Sequence, residues 1–124
     1  MGQQTLDAVM AAEGVDPATI GLLWMDTQGC EGHVLAGAQA VLAHSPPLVA
    51  ECAPKYLRSN GGLPLMIAAL AEHYTHFLDL RAPLSPEGEP ELRTVDELNS
   101  LVEDYEARES GGTFTDILAV RLPG

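Results

Sequence analysis

Apolar residues along this chain fall into two patterns, short continuous blocks and blocks at helical spacing, and the two alternate. Thr5 is placed to N-cap a short helix that runs to Glu13, with Asp7 in its first turn and Gly14 stopping it. Ile20-Gly21-Leu22-Leu23-Trp24-Met25 is an unbroken apolar run that ends abruptly at Asp26. Such a run predicts a strand buried on both faces, as in a parallel sheet, with Trp24 in the core. The turn Thr27-Gln28-Gly29-Cys30 leads into a predicted helix from Glu31 to His44, whose Val34, Leu35, Ala38, Val41 and Leu42 share one side. Ser45-Pro46-Pro47 ends it. Leu48-Val49-Ala50-Glu51-Cys52 then predicts a second buried strand, closed by Pro54.

The alternation continues. Asn60-Gly61-Gly62 is a turn, and Leu63, Met66, Ile67 and Leu70 line a third helix with Pro64 in its first turn. Residues 74–80 form the next strand candidate. Residues 81–93 carry Pro83, Pro86 and Pro90 among Glu87, Glu89 and Glu91, and predict a solvated loop rather than a substrate lid. Thr94-Val95-Asp96-Glu97 fits a capping box for a fourth helix, with Val95, Leu98, Leu101, Val102 and Tyr105 inward. Gly111-Gly112 breaks that helix, and residues 114–122 form a last strand. Strands separated by helices of this length predict an α/β sheet with right-handed crossovers.

Length and charge narrow the class. With 124 residues the chain suits one compact domain over 1–124, and 46% hydrophobic residues supply its core. Aromatics are 5%, so that core is aliphatic. Six basic residues against eighteen acidic ones give a net charge of -12, which repels phosphate backbones and anionic lipid. No nucleic acid and no membrane is therefore expected as a partner. The N-terminal residues show neither a signal peptide nor a myristoylation pattern, and Cys30 and Cys52 form no CxxC, so a cytoplasmic setting with reduced thiols is expected.

Two predicted strands end in carboxylates, Asp26 and Glu51. In an open α/β sheet, ligands bind beyond the carboxyl ends of the strands, and neighbouring strands lie ~4.8 Å apart. If the two strands are neighbours, Asp26 and Glu51 overhang one crevice, Glu31 starts the next helix, and Gly29 allows close approach. His33 beside these acids lacks any HxxxH or HxH spacing, so no metal site is expected. No G-x-S-x-G elbow exists, and neither cysteine has a base beside it in a known motif, which argues against a hydrolase or acyl-transfer enzyme.

Leu22-Leu23-Trp24-Met25-Asp26-Thr27-Gln28-Gly29-Cys30-Glu31, followed by Val34-Leu35-Ala36-Gly37-Ala38, resembles the central motif of FkbM-type methyltransferases. Pro47-Leu48-Val49-Ala50-Glu51 is similar to that family's next strand, and Thr5-Leu6-Asp7 to the opening of its preceding helix. Gln28 stands where the family usually has Glu, and Cys30 where it usually has Ala. The resemblance covers most of residues 5–80, and more loosely 116–122. It implies the C-terminal half of a Rossmann-like class I methyltransferase fold: a mostly parallel sheet of about four strands, in the family's order 4-5-7-6, with flanking helices and the last strand antiparallel.

The resemblance implies S-adenosylmethionine as cofactor and methyl transfer to a substrate hydroxyl, on a small molecule, glycan or polyketide. By it Asp26, Glu31 and Glu51 become catalytic candidates, and Asp26, Thr27 and Gly29 cofactor-binding ones. The family's glycine-rich cofactor loop has no counterpart here, since no G-x-G-x-x-G occurs, so the chain is expected to be inactive alone. The alternative is a non-catalytic interaction or regulatory module that keeps half of the fold. Its bare strand at residues 20–25 would pair with a second copy or with another chain.

Overall fold

The computed structural model describes residues 4–27, 29–108 and 113–123. Helix α1 (Leu6–Glu13) begins where the Thr5 hydroxyl accepts the Ala8 N–H at 3.1 Å, and ends at Gly14 with φ 70°. A 3-10 turn at Pro17–Thr19, capped by Asp16, precedes strand β1 (Leu23–Met25). The strand is therefore half as long as the apolar run predicts. The helix expected over 31–44 is two helices, α2 (Glu31–Ala36) and α3 (Gln39–Leu42). The break has a cause in α1. Gly37 lies so close to Thr5 that a Cβ would sit 2.8 Å from the threonine Cβ. The Asp7 carboxylate takes the Ala40 N–H at 3.0 and 3.1 Å, which gives α3 a new N-terminus.

Strand β2 (Leu48–Cys52) follows, then α4 (Pro54–Ser59), which the sequence did not predict. Pro54 ends the strand as expected, but it also opens this helix, where its missing N–H costs nothing. Next come α5 (Leu63–His73), β3 (His76–Asp79) and β4 (Leu92–Thr94). The Thr94–Glu97 capping box is present and leads through a 3-10 turn into α6 (Leu98–Glu106). Strand β5 (Thr115–Val120) completes the fold. The expected break at Gly111-Gly112 lies outside the described residues.

The sheet has five strands in the order β1-β2-β5-β3-β4. Among the described residues only β1 and β2 pair in parallel; β2 with β5, β5 with β3 and β3 with β4 are antiparallel. The expected four-strand, mostly parallel sheet in the order 4-5-7-6 is corrected accordingly. One reason is β4, formed by the last two residues of the expected loop and Thr94, which pairs with β3 through Leu78 and Leu92. The other is β5, which enters between β2 and β3 against both, so one reversed strand makes two antiparallel ladders.

A single core lies on one side of this sheet. Leu48, Ala50, Cys52, Phe77, Ile117 and Ala119 point into it and meet apolar residues of α2, α4, α5 and α6. No residue of the opposite face belongs to that core. The expectation that the 20–25 run is buried on both faces is therefore wrong: Trp24 is 73% exposed and Leu22 51%. β1 is the sheet's edge, and its outward face has nothing packed on it among the described residues. No helix of the described residues is long and apolar enough to cross a membrane.

The helical layer is drawn tightly together where α2 crosses the start of α5. A Cβ on Gly32 would sit 1.9 Å from the Gly62 carbonyl oxygen, a backbone atom that cannot swing aside. Gly32→Ala should therefore cost about 2–3 kcal/mol of stability in urea denaturation. A loss under about 0.5 kcal/mol would show that the two helices are not in this contact.

Candidate functional site

The register of one strand pair builds the site. Met25 lies opposite Ala50 in the parallel β1–β2 ladder, so the next residues, Asp26 and Glu51, come side by side at the carboxyl end. On its other flank Glu51 pairs with Asp116 of β5. Alternation along each strand puts all three carboxylates on the open face of the sheet. They form a row across three adjacent strands. The ion pairs among the described residues, Arg58–Glu106, His73–Glu72 and Arg93–Glu97, involve none of them.

Glu51 responds to this crowding. Burial raises its pKa from the ordinary 4.5 to about 7, helped by a side-chain hydrogen bond to Asp26 and by the charges of Asp26, Glu31 and Asp116. With its pKa raised this far, Glu51 keeps its proton close to neutral pH beside the Asp26 side chain. A carboxyl group poised near neutrality at a strand end has the proton affinity that acid–base chemistry uses.

The other expected site residues are held differently. Glu31 is fully buried at the start of α2, and its two oxygens accept the Thr27 N–H at 2.8 Å and the Gly29 N–H at 2.9 Å. Both amides are thereby occupied. Gly29 has φ 100°, and a Cβ there would come within 2.5 Å of the Tyr56 Cβ. The close approach that this glycine permits is that of α4, not of a ligand. Asp26 and Thr27 remain exposed. The structure thus brings Asp26 and Glu51 together and makes Glu31 the tie that fixes the turn beside them.

Two acids at the same end were missed by the sequence reading. Asp116 was hidden because it begins its strand rather than ending it, and only the antiparallel entry of β5 brings it to this rim. Asp79 ends β3 on the core-facing side. It accepts the Tyr105 hydroxyl at 2.9 Å and also the Thr115 hydroxyl, which leaves it a packing role. Its signal, a carboxylate at the end of a strand candidate, was legible.

Cys52 is buried, and burial with nearby Glu31, Asp79 and Glu51 pushes its thiol up to about 12. Cys30 is free and exposed. The His33 ring is bonded to the Asn60 carbonyl at 2.7 Å. Among the described residues no group of three or more His, Cys, Asp or Glu is placed to hold a metal ion. A cavity of about 610 Å³ beside Arg58, Leu63, Ile67 and Asn99 includes none of the carboxylates.

The family model described as "Methyltransferase FkbM domain" matches residues 1–82, which hold α1, β1, β2 and the turn between Asp26 and Glu31. No curated protein and no solved structure matches the chain.

The proton held at Glu51 makes stability depend on pH with a definite sign. The folded chain binds this proton up to about pH 7, the unfolded chain only to about 4.5, so the contribution is full below 4.5 and lost as pH rises through 7. Glu51→Gln keeps a donor toward Asp26 at every pH. It should be more stable than the parent at pH 8 by on the order of 1 kcal/mol, allowing for solvent screening, with the gain shrinking toward pH 5. Urea titrations at the two pH values test this, and a difference that does not change with pH would contradict it.

Proposed function

The chain belongs to the FkbM methyltransferase domain family, and from that premise we propose that it supplies the acid–base rim of an S-adenosylmethionine-dependent site that methylates a substrate hydroxyl. What carries the proposal is the meeting of Asp26 and Glu51 beyond the carboxyl ends of two parallel strands, where α/β sheets bind ligands.

Of the three expected cofactor contacts, Asp26 alone fits. Its exposed carboxylate suits the ammonium of an amino-acid moiety, whereas the Thr27 and Gly29 amides are taken by Glu31. S-adenosylmethionine supplies an electrophilic methyl group on a sulfonium sulfur. Glu51, once its proton has left, is placed to accept the proton of an attacking hydroxyl, and Asp26 then stabilises the protonated Glu51 beside it. Glu31 contributes as a positioning residue, because its two hydrogen bonds set the turn that carries Asp26. The two unpaired thiols, Cys30 and Cys52, support a reducing, cytoplasmic setting.

The described residues offer one carboxylate and no open amide cradle for the cofactor, so a grip on it must come from elsewhere. Isothermal titration of this chain with S-adenosylmethionine should therefore give negligible heat of binding. Binding at micromolar affinity or better would overturn the view that the site here is incomplete.

A further inference from the structure

We propose that Arg81 is a specificity residue of the same site, binding an anionic group, carboxylate or phosphate, on the acceptor whose hydroxyl is methylated. The place of that hydroxyl rests on the reading of Asp26 and Glu51 given above, and the place of the anion rests on Arg81 itself.

Arg81 follows β3 at the end of the sheet that bears the carboxylates. The Leu80 N–H is donated to the Asp116 carbonyl at 2.9 Å, so the chain leaves β3 alongside Asp116. Phe114 and Asp116 lie on either side of Thr115, which is buried and donates its hydroxyl to Asp79 on the core side. Alternation therefore puts both on the same face as Glu51. The Arg81 guanidinium lies over the Phe114 ring, 4.0 Å from its centre. Across the sheet, the rim thus carries Asp26, Glu51 and Asp116 and then a cation.

That cation is fixed before any ligand arrives. The Arg81 backbone N–H is donated to the Asp79 carboxylate at 3.1 Å, and the same carboxylate accepts the Thr115 hydroxyl next to Phe114. One acid thus holds both the residue that carries the guanidinium and the neighbour of the ring beneath it. Stacking sets the guanidinium plane and keeps its edge N–H groups for an oxyanion. A fork so preorganised loses little freedom on binding one. The chain's own acids leave it unused. Arg58 pairs with Glu106 and Arg93 with Glu97, but among the described residues Arg81 is in no ion pair, although eighteen acids stand against six bases.

Charge and spacing then define the acceptor. A chain of net charge -12 repels anions from afar, so general attraction cannot imitate binding at Arg81. β5 lies between β2 and β3, so two strand spacings, ~10 Å, separate the strand of Glu51 from the one that Arg81 follows. The acceptor is therefore an extended, hydroxylated acid, with its anionic group about that far from the hydroxyl that reacts.

Three disaccharides test this on the chain itself: digalacturonate, maltose 1-phosphate and uncharged maltose, followed by NMR at the Arg81 Nε–H and at the Glu51 carboxyl. A charged disaccharide should shift the Arg81 resonance with saturation, and maltose should not. Response to digalacturonate alone marks a carboxylate acceptor, and response to maltose 1-phosphate alone a phosphorylated one. Arg81→Gln should weaken binding at least tenfold, read from backbone amide shifts, while circular dichroism stays that of the parent. Arg121→Gln removes the same charge beyond the other end of β5 and should leave binding unchanged. No saturable Arg81 shift with either charged probe, an equal shift with maltose, or equal weakening by both variants would overturn the proposal. The two resonances separate it from the acid–base reading. Glu51 responding to all three probes with Arg81 silent would overturn the anion subsite and leave that reading standing. Arg81 responding with Glu51 silent would uphold the subsite and count against the place given to the hydroxyl.

Discussion

The parallel pairing of β1 with β2 is the constraint on which the rest of this molecule's chemistry depends. Three residue pairs, Leu23 with Leu48, Trp24 with Val49 and Met25 with Ala50, fix the register. Slipping that ladder by one residue would exchange the faces of every side chain on β1 and separate Asp26 from Glu51. Met25, buried against the core while Trp24 projects outward, opposes such a slip. A short edge strand thus brings two acids together because one apolar side chain specifies its register.

Around that ladder the fold is closed by backbone contacts rather than by long side chains. Glu31 draws the turn after β1 inward through two amides, and Gly29 and Gly32 let α4 and the Gly62 turn approach where any side chain would collide. Asp7 does similar work at a distance, tying α1 to the start of α3. The result is a dense helical layer on one face, while among the described residues no helix of that layer packs on the other. The carboxylate row lies at the rim of that second face.

Much of this was legible in the chain. The carboxylate-terminated runs predicted the strands before Asp26 and Glu51, and Thr5, Gly14 and the 94–97 box marked helix ends that the structure contains. The failures have physical reasons. An apolar run carries no record of whether both its faces are covered, so Trp24 read as core although it is exposed. The split after Ala36 depends on contacts from Thr5 and Asp7, the latter 33 residues from its partner Ala40, which local periodicity does not register. Asp116 became visible as a site residue only once β5 was seen to run against β2. The role of Glu31 could be guessed as a helix-start acid, but its grip on two amides could not.

The account stands most directly on the proton that Glu51 keeps beside Asp26. Carbon-13 NMR titration of the glutamate side-chain carboxyls, with Glu51 assigned by substitution, measures it. The account predicts a Glu51 midpoint near 7 that moves down when Asp26→Asn removes its neighbour's charge, but stays above the ordinary 4.5 because burial, the largest cause, remains. A Glu51 midpoint already near 4.5 in the parent chain would mean that the two acids do not meet, and the site described here would lose its basis.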